Sequence, residues 1–416
     1  MIPELNIENY AYPLTSDRIA KYPLAERDSS KLLRYCNGEI SSYTFYNLPE
    51  LLPADSLMIF NDTKVVPARL HFKRDTGALV EIFCLRPVLP EEYNLAFASI
   101  GSCRWECVIG NSKRWKGDIL SFYTGDKKED VHGDETEKLE LKASLIEKEG
   151  QCGIVEFSWK GDVPFSAVLE ICGNIPIPPY LDRDTEAIDN ERYQTLYARI
   201  RGSVAAPTAG LHFTERVLEA TKKKGIEMDN VCLHVGAGTF LPVKESDVSK
   251  HKMHREPFSV SLELLEKLIE CKKSPNSRPI VAVGTTSVRT LESLYYAGIS
   301  IIKNGRPEDI EQWVPYNEDE AYGRIGTAEA LSAIVKYLKD NRLKSFVCGT
   351  RIIIVPGFKF RIVDVLVTNF HQPESTLILL VSAFLGGNWR PVYDFALAEG
   401  YRFLSYGDSS LLFREK

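Results

Sequence analysis

The sequence predicts an α/β main domain, built from residues 1–55 and 160–416, with an inserted antiparallel β-barrel domain over residues 56–159. Three observations carry that expectation. The chain has 416 residues, more than one hydrophobic core usually supports, so two domains are expected. From Ser56 to Trp159 the texture is short runs with period-two alternation, such as "VPARLHFKR", "ALVEIFCLRPV", "RWECVIGN" and "GIVEFSWKG", separated by turn signals such as "RDTGA". Beyond "IPIPPYLDRD" the pattern becomes strand, loop, helix, repeated, which implies α/β layering.

Taken in order, Ser16 reads as the cap of a short helix over "DRIAKY". "SLMIFN" reads as the first strand of the barrel segment, and the charged run "DKKEDVHGDETEK" as a solvated hairpin excursion. "AAPTAGLHFT" then enters a helix that Thr214 caps, with Glu215 in the positive first turn and Lys222 to Lys224 in the negative last turn before Gly225. "PIVAVGTTSVRTLESLYYAG" is expected to be strand, polar loop and helix, with Gly298 as the helix stop. "VDVLVTNFHQPESTLILLVSAFLGG" repeats the unit and stops at Gly386 or Gly387. "TAEALSAIVKYLKDN" adds a helix capped by Thr327.

Composition narrows the function classes. A net charge of -6 argues against a protein that coats nucleic acid over its whole surface, though not against a local basic patch. Nine cysteines occur without a CxxC pair. In "CRWEC" an even spacing puts Cys103 and Cys107 on one strand face, which favours buried free thiols over a zinc site. The odd cysteine count and the lack of a secretory signal lead to an expected reducing, cytoplasmic setting. "TLILLVSAFLGG" is too short for a membrane span and reads as a buried helix.

Several apolar strands end in small and polar residues: "LHVGAGTF" (His234, Gly236, Gly238, Thr239), "VAVGTTSVRTLES" (Thr285, Ser287, Arg289) and "VTNFHQPEST" (Asn369, His371). "AAPTAGLHFT" brings a fourth such loop with Thr208, Gly210 and His212. Each segment alone is ordinary helix capping; four together, with three histidines at loop or strand-end positions, point to a binding crevice beyond the strand ends. Exposed amides at the following helix N-termini favour an anionic group there. "HKMHREPFSV" adds His254 and Glu256, but lacks the helical HExxH spacing of a metal site, so acid/base or ribose-binding work competes with a solvated loop. "VGAGTF" resembles the glycine loop of S-adenosylmethionine methyltransferases, yet "LPVKES" follows in place of a helix, which argues against that fold.

"IAKYPLAERDSSKLL", "FNDTKVVPARL", "IPIPPYLDRDTEAIDNERYQTLYA", "GSVAAPTAGLHFTERVL", "LHVGAGTFLPV", "VAVGTTSVRTLES", "VTNFHQPESTLILLVSAF" and "YRFLSYGDSSLL", in this order from Tyr12 to Leu412, resemble the S-adenosylmethionine:tRNA ribosyltransferase-isomerases of queuosine biosynthesis. The resemblance implies transfer of the ribosyl portion of S-adenosylmethionine onto the aminomethyl group of a 7-deazaguanine base at the tRNA wobble position. Epoxyqueuosine, adenine and methionine are the implied products, with no metal and no cofactor beyond S-adenosylmethionine as co-substrate. The sulfonium acidifies the C5′ hydrogens, so a positioned base generates an ylide. Adenine leaves, the tRNA amine attacks the resulting vinyl sulfonium, and epoxide closure expels methionine. Such a path needs a base for carbon, an acid for adenine and donors for the methionyl carboxylate.

On that implication His212 or His234 is the acid or base. Thr285, Ser287 and Arg289 hold the carboxylate or ribose, Asn369 and His371 close the pocket, and His254 and Glu256 assist. Thr208, Gly210, Gly236, Gly238 and Thr239 line the cofactor side. Arg27, Arg69, Lys113 and Arg114 are the expected phosphate contacts, with Trp115 stacking on an unpaired base. Residues 299–349 run longer than the family pattern leads one to expect. Two other readings stay open: a same-fold enzyme acting on a related base or nucleoside, and a non-catalytic tRNA-binding protein.

Overall fold

Continuous apolar runs and alternating runs sort into two different sheets. The computed structural model describes residues 3–110, 112–123, 138–150, 152–235, 245–273, 278–317 and 321–415. Its large sheet has nine strands, in spatial order Ser345–Thr350, Glu256–Ser261, Glu227–Leu233, Leu57–Asn61, Ile280–Val283, Val365–Asn369, Ser409–Phe413, Lys31–Cys36 and Glu39–Thr44. Four central strands, from Glu227–Leu233 to Val365–Asn369, run parallel to one another. Leu57–Asn61, Ile280–Val283 and Val365–Asn369 are buried at every residue, as expected of parallel strands covered on both faces. Both ends of the chain meet in this sheet, where Lys31–Cys36 pairs in parallel with Ser409–Phe413.

The second sheet closes into a six-stranded antiparallel barrel in the order Cys152–Ser158, Ser102–Gly110, Leu79–Leu89, Arg69–Lys73, Leu120–Phe122 and Lys142–Glu149. Here the alternation expected from sequence is plain: in Ser102–Gly110 every second residue, Cys103, Trp105, Cys107 and Ile109, is buried. The two cysteines of "CRWEC" are therefore buried free thiols in the barrel core. One boundary differs from the sequence reading. Leu57–Asn61, placed there with the barrel, is a central strand of the large sheet, and the barrel strands begin at Arg69. The charged excursion expected over "DKKEDVHGDETEK" lies almost wholly outside the described residues.

Helix ends show where local signals suffice. Thr214 accepts from the Val217 amide and caps Glu215–Lys223, as its sequence predicts. Gly386 and Gly387 follow the end of Thr376–Phe384 in the left-handed region, at φ 58° and 98°. Three other signals are overridden. Thr15, not Ser16, is the N-cap residue of the short helical turn Ser16–Arg18. Gly326 takes the N-cap place before Thr327–Asp340, and Thr327 is that helix's first residue. Gly298 does not stop its helix, which runs from Thr285 to Asn304 and ends at Gly305 with φ 72°.

Packing explains Gly298. It faces the backbone of Ala330, on the helix Thr327–Asp340, so closely that a Cβ would overlap the Ala330 carbonyl. The added helix thus belongs to the core, with Ala330, Leu331, Ile334 and Leu338 buried. Gly298→Ala is expected to destabilise the protein by about 1–3 kcal/mol through overpacking, read as a lowered thermal midpoint. An unchanged midpoint would mean that the helices separate freely. Among the described residues no helix is long and apolar enough to cross a membrane.

Candidate active site

The carboxyl ends of the four parallel strands lie along one edge of the sheet, and the short helical segment Thr208–His212 packs against one of them, Val365–Asn369. That segment can approach closely because Gly210 has no side chain. A Cβ there would overlap the Tyr197 hydroxyl and come within 2.7 Å of Thr195 Cγ2. The placement carries His212 into the space between the strand Val365–Asn369 and the N-terminal segment of the chain.

His212 is a bridge. Its Nδ1 lies 2.9 Å from Ser30 Oγ and its Nε2 lies 3.2 Å from Asn369 Nδ2. The Asn369 amide also donates to the Leu404 carbonyl at 3.0 Å, which sets its nitrogen on this side. His212 Nε2 is then an acceptor, and Nδ1 carries the proton that it donates to Ser30. Burial pushes the His212 pKa down to about 4, so the ring is neutral at pH 7. Ser30, itself 1 % exposed, lines a small open cleft together with Arg27, Arg192, His212, Arg402 and Tyr406.

The arginines are held in place from the protein side. Arg27 donates to the carbonyls of Gln194 at 2.7 Å and Glu191 at 3.0 Å, and Arg192 donates to Leu24 O at 2.6 Å. Arg402 pairs with Asp408 at 3.1 Å. Three guanidiniums on one small cleft favour an anionic group in it.

The other expected site residues are dispersed. His371 is buried among aromatic rings: its amide donates to Tyr393 Oη at 3.1 Å, its carbonyl accepts from Tyr12 Oη, and its Nε2 sits 2.9 Å from Thr368 Oγ1. Burial brings its pKa to about 4 as well. His234 stands at another strand end, stacked on Tyr93 of the barrel segment at 4.8 Å, with burial again pushing its pKa to about 4. Gly202, at φ +139°, makes room for that ring, since a Cβ would reach within 2.6 Å of Nδ1. Gly236, Gly238 and Thr239 lie outside the described residues.

Arg289 and Glu256, expected as separate contributors, form one buried ion pair. Ser287 turns its hydroxyl back onto the Val283 carbonyl at 2.7 Å and is fully buried, so it presents nothing to a ligand. Thr285 begins the long helix, Thr208 is partly exposed at the start of its segment, and His254 is exposed. Among the described residues no group of three or more His, Cys, Asp or Glu is placed to hold a metal ion.

One expected RNA contact, the stacking residue Trp115, is corrected by its surroundings. Trp115 is 2 % exposed, packs in the barrel core and donates Nε1 to the Asp118 carbonyl at 2.7 Å, so it offers no face for stacking. Arg69 is ion-paired with Glu81 on the neighbouring strand. Lys113 is exposed, and the Arg114 side chain is not among those described. Sequence reasoning missed Ser30, Arg192 and Arg402 as cleft residues. Nothing local marks them, because their roles arise only from contacts across the fold.

Fold and site together define an α/β protein with a polar crevice at the carboxyl ends of parallel strands, the usual place for a small-molecule site, joined to a closed barrel. A family profile described as "Queuosine biosynthesis protein" matches residues 7–412. The S-adenosylmethionine:tRNA ribosyltransferase-isomerase of Francisella tularensis subsp. tularensis (strain WY96-3418) is 36% identical over 412 residues, covering 98% of this chain and 100% of that protein. Its counterpart in Francisella philomiragia subsp. philomiragia is 35% identical with the same coverage. A crystal structure of S-adenosylmethionine tRNA ribosyltransferase from Thermotoga maritima is 26% identical and covers 97% of this chain and 99% of that one, with a TM-score of 0.46. The chain belongs to the S-adenosylmethionine:tRNA ribosyltransferase-isomerase family of queuosine biosynthesis.

Proposed function

We propose that this protein transfers and isomerises the ribosyl group of S-adenosylmethionine onto the 7-aminomethyl-7-deazaguanine base at the wobble position of tRNA. Epoxyqueuosine-tRNA, adenine and methionine are the products. The observation that carries this reading is the end-to-end match, 36% identity over 98% of the chain, to an S-adenosylmethionine:tRNA ribosyltransferase-isomerase. The site is compatible in charge: Arg27, Arg192 and Arg402 face a cleft suited to a methionyl carboxylate or a tRNA phosphate. His212 orients the Ser30 hydroxyl toward the same cleft and acts as a positioning residue in the neutral form. Lys113 on the barrel surface is a further phosphate contact. We read the reaction as using S-adenosylmethionine alone, without a metal, in the cytoplasm.

The test is one incubation of purified protein with S-adenosylmethionine and tRNA bearing the aminomethyl-deazaguanine base, analysed for adenine and the modified nucleoside. Both are expected together and in equal amounts. Adenine release with a free nucleoside but not with tRNA would make the protein a same-fold enzyme of different substrate. Binding of tRNA without release of adenine would sink the catalytic reading.

A further inference from the structure

The carboxyl end of the central strand Leu57–Asn61 carries an acid that the His212 cleft does not use. Asp62 is 7 % exposed, and its backbone is fully committed. Its amide donates to Val231 O at 3.0 Å, and its carbonyl accepts from the amides of Arg199 at 2.8 Å and Ile200 at 3.2 Å. Its side-chain Oδ1 is buried without a hydrogen-bond partner, and so are the hydroxyls of Thr195, Tyr197 and Thr286. Buried polar atoms are nearly always paired, so these four unpaired oxygens, on the strand end, the helix start and the covering loop, require a ligand or an explanation.

The segments that carry these groups neighbour one another. Tyr197 packs its ring on Phe60, two residues before Asp62, at 4.5 Å between centroids. The Tyr197 hydroxyl and Thr195 close over Gly210 from outside. On the next strand, the pairing of Ala282 with Ile59 carries forward to put Gly284 level with Asn61. Thr286 follows in the first turn of the helix after that strand, with its Oγ1 3.5 Å and Ala209 Cβ 3.7 Å from where a Gly284 Cβ would lie. The segment Thr208–His212 therefore separates two polar centres: His212 serves the arginine-lined cleft, and Gly210 abuts the Asp62 group.

The carboxyl oxygen of the set only accepts, and the three hydroxyls can accept as well as donate. The set can therefore receive a ligand rich in N–H donors, and the carboxylate favours a cation among them. The charged and titratable neighbours are Arg199 and Tyr197 from the covering loop and Asp229 and Cys232 from the adjacent strand. Arg199 is the one cation in that set. Burial raises the Asp62 pKa to about 6, and the Arg199 guanidinium offsets it only in part.

We propose that Asp62, with the hydroxyls of Thr195, Tyr197 and Thr286, forms a subsite for a primary ammonium group of a substrate. This rests on the reaction proposed above, in which two substrates carry such a group: the methionyl α-ammonium of S-adenosylmethionine and the aminomethyl group of the tRNA base. The shared chemistry is a protonated primary amine, and the experiment separates its sources.

Asp62→Asn keeps the shape and removes the charge. Its affinity is measured by calorimetry for S-adenosylmethionine, and for tRNA carrying the aminomethyl base against the same tRNA with guanine at that position. A loss of about tenfold or more is expected in one arm. Loss for S-adenosylmethionine assigns the α-ammonium, and loss of preference for the modified tRNA assigns the aminomethyl group. In that arm wild-type affinity weakens as pH falls through about 6, where Asp62 takes up a proton, while the variant stays flat.

Affinities within twofold of wild type in both arms overturn the subsite. If Asp62→Asn does not fold, as judged by its thermal unfolding, Tyr197→Phe is put through the same two arms. It removes only a hydroxyl and leaves the ring on Phe60; a loss of about threefold in one arm is expected, and none in either overturns the proposal. The reaction and the subsite fail separately. A wild type that binds both ligands but releases no adenine sinks the reaction alone. Turnover by the wild type, with Asp62→Asn binding as well as it does, sinks the subsite alone.

Discussion

Replacing His212 by alanine is expected to reduce adenine release by about 10²-fold or more, the scale on which misplacement of reacting groups acts. The change removes the bridge from Ser30 to Asn369: Asn369 keeps its bond to the Leu404 carbonyl, but the Ser30 hydroxyl loses its buried partner and is free to rotate in the cleft. The geometry also states which kind of loss to expect. With its pKa near 4, its Nε2 lone pair occupied by Asn369 and its one ring proton held on Nδ1 against Ser30, neutral His212 has neither a free proton nor a free lone pair for the reaction at pH 7. Its role is to orient, so His212→Asn, whose amide can still donate to Ser30, should recover part of the activity, and the profile of kcat/KM between pH 6 and 8 should keep the wild-type shape. Ser30→Ala should lose most of what His212→Ala loses, since Ser30 is the group presented to the cleft. An alanine variant at His212 within fivefold of wild type, in folded protein, would remove this site from the reaction.

How much of this was legible differs between fold and site for physical reasons. The barrel announced itself because alternation is a local property: "RWECVIG" carries its own inside and outside. The misplaced strand Leu57–Asn61 also carried its signal, an unbroken apolar run where barrel strands alternate, which is what burial on both faces of a parallel sheet demands. Gly298 shows the limit of punctuation. A glycine that lets two helices touch reads the same, in one dimension, as a glycine that ends a helix. Trp115 shows another: beside lysine and arginine it reads as a stacking residue, but the barrel had space for it inside.

Site residues were legible where polarity interrupts an apolar strand, which is how His212, His234 and Asn369 stood out. Their partners were not, because pairing is a property of the fold. Ser30 lies 182 positions from His212, beside Ser29 in a polar stretch. Glu256 and Arg289 lie 33 positions apart and gave no sign that they neutralise each other. That pairing changes what mutagenesis there can show. Removing either member leaves an unpaired buried charge costing about 3–5 kcal/mol, so lost activity at either position would report on folding before it reported on substrate. Asp62 carries the same signal, a lone carboxylate closing the apolar run "SLMIFND".

Acidification should weaken the fold well before ordinary carboxylates titrate. His212 and His371 are 4 % and 8 % exposed, and burial lowers each from an unfolded value near 6.5 to about 4. Between those values the unfolded chain binds protons that the native state refuses, so stability is fully present above about pH 6.5 and is lost as pH falls toward 4. At pH 5 each ring accounts for a loss of about 2 kcal/mol relative to pH 7, and His234, lowered in the same direction, adds to it. Asp62 works the other way. Its raised pKa means that the native state gains a proton first on acidification, returning about 1 kcal/mol by pH 5. The net is several kcal/mol against a typical total of about 5–15 kcal/mol, enough to move a urea midpoint strongly between pH 7 and pH 5. His371→Leu tests the source, because it removes a titrating ring that makes no contact with the arginine-lined cleft. Whatever its midpoint at pH 7, its slope of stability against pH should be shallower than wild type by about the share of one histidine. An identical slope would mean that these rings are hydrated in solution and charge as freely as they do in the unfolded chain.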